Sequence, residues 1–433
     1  MRLEDFMNAS PVNFLAVETI KKRFEEQGYR EWNAGEPCPA VKSGDKLFVT
    51  KNGSAIFAFH IGKRPMAESG MHIVAAHCDS PTFRVKPNAE IKCEGGLVKL
   101  NTEVYGGAIL STWMDRPLSL AGRVVLASHD KDEDVTQPSV RLLRIDRPIV
   151  TIPNLAIHFN RQVNDGVALS KQKDMLPVLT AMPHSTETAH GILMTLVAEE
   201  LGVAKEDILD FDLYLYDTTP AQCVGLHGEF VQSGRLDDLS MVHAGMEAML
   251  ANSATPEVTK CLAIFDNEET GSQTKQGAGS PFFASVVRRL VAGQDSTDSY
   301  EAFAMCVEHS FMISADNAHA WHPNYNEKYD PTNHPVMGGG PVIKYNASQK
   351  YLSDAVGAAV FMQICRNAGV PYQTFVNHSD VAGGSTLGNI LSASFPVRGV
   401  DMGNPIWAMH SARETACIHD HENCIKVFTE FYK

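Results

Sequence analysis

The sequence predicts an α/β fold with a mixed sheet, interrupted by an inserted β-rich domain. Three observations predict it. Mostly apolar runs such as Met71 to Ala76, Cys261 to Phe265 and Phe311 to Ser314 have strand length and no helical period, and each is followed by polar, titratable residues. Segments with apolar residues at helical spacing, such as Tyr351 to Gly369, alternate with these runs. From about Lys86 to about Val224 the texture changes to short β-rich runs broken by polar turns, and the α/β pattern resumes afterwards. The expected division is residues 1–85 and 226–433 as one domain, with 86–225 inserted into it.

Composition narrows the function. A chain of 433 residues is long enough for two to three domains. The formal charge of -14 disfavours nucleic acid or an anionic membrane as partner, so a small molecule or peptide is the expected ligand. Met1 to Ala9 carries two acids and no long apolar core, and no later stretch reaches the roughly 18 apolar residues of a spanning helix. No membrane partner and no export are expected. Nine cysteines without a CxxC pair read as reduced thiols, which points to the cytoplasm.

Taken in order, Ser10-Pro11 reads as the start of an amphipathic helix carrying Phe14, Val17, Ile20 and Phe24 up to Gly28. Lys46 to Thr50 and Ser54 to His60 flank Asn52-Gly53, a hairpin turn signal. The run Met71 to Ala76 delivers His77-Cys78-Asp79, where Asp79 either shares a metal site with His77 or orients its imidazole. In the β-rich region a helix is expected over Gly191 to Leu201. The polar segment between Asn160 and Thr188 reads as a long loop or as a surface ordered by another subunit. Such an inserted domain, with no obvious site of its own, reads as an oligomerisation module, the alternative being a lid or a plain structural excursion.

Beyond it, Asp237 or Asp238 reads most simply as the cap of a helix carrying Val242, Met246 and Met249. Glu268-Glu269 follows an apolar run, so one carboxylate can hold a metal while its neighbour faces a water as general base; the plain alternative is a solvated acidic turn. A helix through Phe282 to Val291 comes next, and Asp316 then follows another apolar run. Gly338-Gly339-Gly340 has neither phosphate-loop spacing and reads as a backbone loop. Asp380 lies in a small-residue turn, His410 follows Val397 to Val400, and a helix over Asn423 to Phe431 closes the chain.

Singly, each acid or histidine has an ordinary structural explanation. Together, His77, Glu268, Glu269, Asp316 and, less tightly, His410 follow strands of one pattern, with Asp237 opening a helix between them. A parallel-rich sheet brings such ends to one edge, where ligands of α/β proteins sit. Nitrogen and oxygen donors suit Zn²⁺, Mn²⁺ or Co²⁺. Two metals sharing one carboxylate need about five protein groups, and His77, Asp237, Glu269, Asp316 and His410 supply them, leaving Glu268 as base.

The motifs "AAHCDSP" at His77, "GRLDD" at Asp237, "DNEETGS" at Glu268 and Glu269, "SADNAHAWHP" at Asp316, "NHSDVAGGSTLG" at Asp380 and "MHSARE" at His410 occur in that order. Over nearly its whole length the chain resembles the aspartyl aminopeptidases, which are co-catalytic zinc exopeptidases. The resemblance implies two divalent ions bridged by Asp237, one completed by His77 and Asp316 and the other by Glu269 and His410. It implies that Glu268 shuttles the proton, that Asp79 orients His77 and that Asp238 has a supporting role. Peptides with an N-terminal Asp or Glu are the implied substrates, with Lys344 as the cation near the acidic side chain. His158, in "LAIHF", is implied to reach a neighbour's active site and help stabilise the oxyanion. A zinc-exopeptidase catalytic domain, a β-rich dimerisation domain and an assembly of twelve subunits built from dimers complete the expectation. By sequence alone Lys344 reads as a surface lysine and His158 as a core histidine. The competing functions are a broad-specificity di-metal aminopeptidase or deacylase, and a catalytically silent peptide-binding assembly protein, against which the intact Glu268 argues.

Overall fold

In the computed structural model, residues 1–128, 134–181, 191–294 and 299–433 are described. They form two compact units. The first comprises Met1–Asp79, Ala221–Met409 and Glu414–Lys433, and the second Ser80–Pro220 with His410–Arg413. The strand Thr82–Lys92 spans the boundary expected after residue 85 and lies wholly in the second unit.

The first unit is built on a nine-stranded mixed sheet. Its centre is four parallel strands, in the order Thr259–Phe265, Met71–His77, Phe311–Ala315 and Arg398–Gly403. The strand Ala55–His60 runs antiparallel beside Thr259–Phe265, and Val342–Tyr345 runs antiparallel beside Arg398–Gly403. Both faces of the centre are covered, which is why these strands read as continuous apolar runs. Side chains alternate across the sheet. Ile73 and Ala75 join a core with Phe283, Val287 and Leu290, whereas Val74 and Ala76 join one with Val242, Met246 and Phe428. Because the four central strands are parallel, His77, Asp266 and Asp316 all emerge at or just beyond one edge.

The turn at Asn52-Gly53 has φ of 58° and 66°, the left-handed pair that a tight hairpin requires. The expected helix start at Ser10-Pro11 is corrected. Leu3, Phe6 and Met7 are buried, so a short helix, Leu3–Ala9, forms first, and the amide of Ser10 closes it on the carbonyl of Met7. The amphipathic helix is Asn13–Glu26, entered from an extended Val12. A helix over Ser299–His309 was not anticipated.

The second unit carries a six-stranded antiparallel sheet ordered Ser139–Arg144, Leu118–Leu126, Ile208–Asp217, Thr82–Lys92, Leu97–Tyr105 and Val178–Ala181. The helix Ile192–Leu201 buries Leu193 and Val197 in the core with Phe83, Leu120 and Leu213. Glu90 accepts the amides of Gly191 and Leu193 at 2.6 Å each, satisfying donors that the helix start would otherwise leave open. The part of the polar segment at 182–188 lies outside the described residues. Among the described residues no helix is long and apolar enough to cross a membrane.

Candidate metal centre

His77 is the last residue of its strand, Asp316 follows the neighbouring strand, and Asp237 and Asp238 lie in the first turn of the helix Leu236–Leu250. Neither aspartate caps that helix, contrary to the plain sequence reading. Arg235 occupies the cap position with φ 64°, and Asp237 and Asp238 have non-helical backbone angles that release their carboxylates from the helix axis. The side chains of His77, Asp237, Asp238 and Asp316 are all buried and offer donor atoms within 4.8 Å of one another. His77 Nε2 is 3.8 Å from Asp237 Oδ1 and 3.9 Å from Asp316 Oδ1. Glu268 and Glu269, on a 3-10 turn after the strand Thr259–Phe265, form a second group with His77 at the same spacing.

Several contacts fix this arrangement. His77 Nδ1 lies 3.0 Å from the Asp79 carbonyl and 3.4 Å from its Oδ1, so this nitrogen carries the proton and Nε2 faces the acids. The Asp79 carboxylate also accepts the amides of Glu268 and Glu269, at 3.0 and 3.1 Å. Asp238 accepts the amide of His77 at 3.2 Å, and Asp237 donates its own amide to Glu414 Oε2 at 3.0 Å. Asn317 donates to the carbonyl of Leu236 at 2.8 Å and to Asp238 Oδ1 at 3.4 Å, tying the strand end to the helix start. Glu414 and Asn317 carry no role of their own in the sequence reading, although both lie inside the motifs "MHSARE" and "SADNAHAWHP".

Lys344 is not the surface lysine that sequence alone indicates. It is 3% exposed, its Nζ lies 3.2 Å from Asp316 Oδ2, and it donates to the Asn317 carbonyl at 3.2 Å. His410 lies in the second unit, with φ 69° and Nδ1 3.1 Å from the Gly107 carbonyl. His158 is also in the second unit, on an exposed turn rather than in a core. Asp380 is exposed.

Three buried and two half-buried carboxylates thus surround one buried imidazole. Burial pushes Asp238 well above the usual carboxylate range, with Asp316 and Asp237 reinforcing the effect against the pull of His77. Burial raises Asp316 too, despite Lys344. Glu268 is pushed up to about 8, first by burial and then by Asp316, Glu269 and Asp79, against His77. For His77, burial pulls downward, but the hydrogen bond to Asp79 and the charges of Asp238 and Glu268 outweigh it and hold the imidazole well above its ordinary value. Crowded, desolvated carboxylates disfavour their own ionisation. A divalent cation offsets that cost, and a histidine nitrogen among carboxylate oxygens is a donor set that suits zinc. The residues therefore fit such an ion.

A mixed α/β sheet with a buried histidine–carboxylate cluster beyond its parallel strands defines a metallohydrolase type of centre. The profile of the aminopeptidase I zinc metalloproteases (M18) matches residues 6–432. A probable M18 family aminopeptidase 2 from Clostridium novyi is 48% identical over 99% of this chain and 97% of its own length. Among solved structures, a chain in the cryo-EM structure of the Ape4 and Nbr1 complex superposes with a TM-score of 0.93 at 34% identity, covering 99% of this chain and 84% of that one. Chaetomium thermophilum mApe1 gives 0.86 at 30% identity, covering 99% and 96%. The chain belongs to the M18 family, and its activity is that of a metal-dependent aminopeptidase.

Proposed function

We propose that this protein removes N-terminal Asp and Glu residues from peptides, using two divalent ions, zinc in the first instance, with Glu268 as general base. The observation that carries the reading is the buried group of His77, Asp237, Asp238 and Asp316 next to the Glu268-Glu269 turn. His77, Asp237 and Asp316 are assigned to one ion, and Asp237, Glu269 and His410 to the other, by the motif resemblance; Asp238 supports His77 through its amide. Bound divalent ions supply polarisation of the scissile carbonyl and a lowered pKa for the attacking water.

The chain's own residues do the rest. Glu268 takes the proton of the attacking water and passes it to the leaving amine, a role suited to a half-buried carboxylate on the turn beside the cluster. Asp79 holds the amides of both glutamates and the imidazole of His77, so the base and a ligand keep a common reference. The Lys344 ammonium is assigned to the substrate's acidic side chain, shared with Asp316. His158 is assigned to oxyanion stabilisation in a neighbouring subunit. Its exposed turn, with Leu155, Ile157 and Phe159 also exposed, supports assembly through the second unit into dimers and a twelve-subunit oligomer. Free thiols at all nine cysteines support residence in the reducing cytoplasm.

One observation favours a second reading. Lys344 already has a counter-ion in Asp316, and a fully neutralised ammonium would leave the enzyme with broad specificity. Turnover of peptides with N-terminal Asp, Glu, Leu and Lys separates the two. Preference for Asp and Glu supports the first reading, and equal kcat/KM across the set replaces it with the second.

A further inference from the structure

At the end of the central strands opposite His77, the nine-stranded sheet carries a row of basic side chains in register. Lys46 pairs with His60, His60 with Lys260, and Lys260 with His72, across four adjacent strands. Directly opposed residues project from one face with Cβ atoms roughly 4.5–5.5 Å apart, so Lys46 and Lys260 flank the His60 imidazole from its two neighbouring strands. Lys260 is 3% exposed and His60 1%, while Lys46 and His72 are half-buried at the two ends of the row.

Aromatic rings line it. The Tyr432 ring centroid is 5.8 Å from Lys260 Nζ, the Tyr29 centroid is 5.6 Å from Lys46 Nζ, and Phe431 stacks on His72 at 4.6 Å. Among the described residues none of the four basic side chains forms an ion pair with a carboxylate, and Lys46 donates to the Gln27 carbonyl at 3.2 Å. Buried lysines are almost always paired. Burial, and then the ammoniums of Lys46 and Lys260, pull His60 down to about 4, and burial followed by Lys46 lowers Lys260. Two lysines flanking an uncharged imidazole, one of them 3% exposed and without a carboxylate partner among the described residues, break a rule that the rest of the sheet obeys, and such breaks concentrate at functional positions.

We propose that the row is a binding site for a small inorganic oxyanion of the phosphate class, held by the ammonium groups of Lys46 and Lys260 with His60 as a further N–H donor. The anion supplies the negative charge that the described residues do not place there. His72 and His77 are five residues apart on one strand, about 16 Å at the usual strand rise, so the site is separate from the metal centre. Lys46, half-buried, marks the side from which the anion enters.

The test is thermal unfolding of the zinc-loaded full chain in inorganic phosphate against chloride at matched ionic strength and pH. Phosphate excluded from a protein surface raises Tm roughly in proportion to its concentration, whereas a bound ion raises it with the logarithm of concentration once above its Kd. A rise in Tm that follows the logarithm of phosphate concentration is expected for the wild type, with the apparent Kd weakened at least tenfold in Lys260→Met and recovered in Lys260→Arg. Should Lys260→Met fail to fold, Lys46→Gln decides, with a several-fold weaker Kd expected. A rise only in proportion to concentration, or the same rise in wild type and variants, overturns the proposal; the second outcome would place phosphate at the metal centre or elsewhere.

Discussion

The carboxylate of Asp79 accepts the backbone amide of Glu268 at 3.0 Å. The same side chain accepts the amide of Glu269 and lies 3.4 Å from His77 Nδ1, so one residue links the end of the strand Met71–His77 to the turn carrying the proposed base. Asp79→Asn keeps the volume but turns an NH₂ group toward one of these donors. Orienting partners of metal ligands typically contribute 10- to 100-fold. A fall of about that size in zinc affinity is expected by chelator competition, with a matching fall in kcat/KM. Unchanged affinity and rate would remove the positioning role.

Glu268→Gln preserves shape and removes the proton acceptor. General-base contributions are typically 10²–10⁴-fold, so kcat is expected to fall by roughly that factor while zinc content stays at the wild-type level. Full hydrolysis in this variant would sink the base assignment.

Lys344→Met separates the proposed recognition of an acidic side chain from support of the proposed ligand Asp316. Removing one member of a buried ion pair typically costs about 3–5 kcal/mol, so the metal-free variant is expected to unfold at lower denaturant than the metal-free wild type. In the metal-loaded enzyme the ratio of kcat/KM for Asp over Leu peptides is expected to drop at least tenfold. An unchanged ratio would move the acidic pocket elsewhere.

His243 and His421 are buried against each other, with 3.0 Å between His243 Nδ1 and His421 Nε2. Burial lowers His243 to about 4 and holds His421 well below its ordinary value. Both rings have folded pKa values below the unfolded value of about 6.5, so between the two the unfolded state binds more protons. The stability they lend is fully present above pH ~6.5 and is lost as pH falls toward 4, by roughly 1.4 kcal/mol per pH unit for each ring. Denaturant midpoints measured from pH 7 to 4.5 are expected to decline, with a shallower slope in His243→Gln. An equal slope in the variant would assign acid sensitivity to other groups.

The strand ends were legible because their physics is local. A buried strand in a two-sided sheet is a continuous apolar run, and His77, Glu268 and Asp316 stand just after such runs. Asp237 and Asp238 were harder, because an acidic pair before an apolar helical stripe is also the signature of a cap. Only the left-handed Arg235 and the non-helical angles that follow show that both carboxylates turn to the centre. Glu414 meets the Asp237 amide across 177 positions of chain, a contact that no window of sequence contains. Ser10-Pro11 misled because it separates two helices, the first too short to show a period. Lys344 read as exposed because its counter-ion, Asp316, lies on another strand's end.

The most direct test of the account is hydrolysis of an N-terminal Asp peptide beside its N-acetylated form, before and after chelation, with Zn²⁺, Mn²⁺ or Co²⁺ restored. The account predicts cleavage of the free-amine peptide alone, abolished by chelator and regained with metal. Cleavage that survives chelation, or equal cleavage of the acetylated peptide, would contradict it.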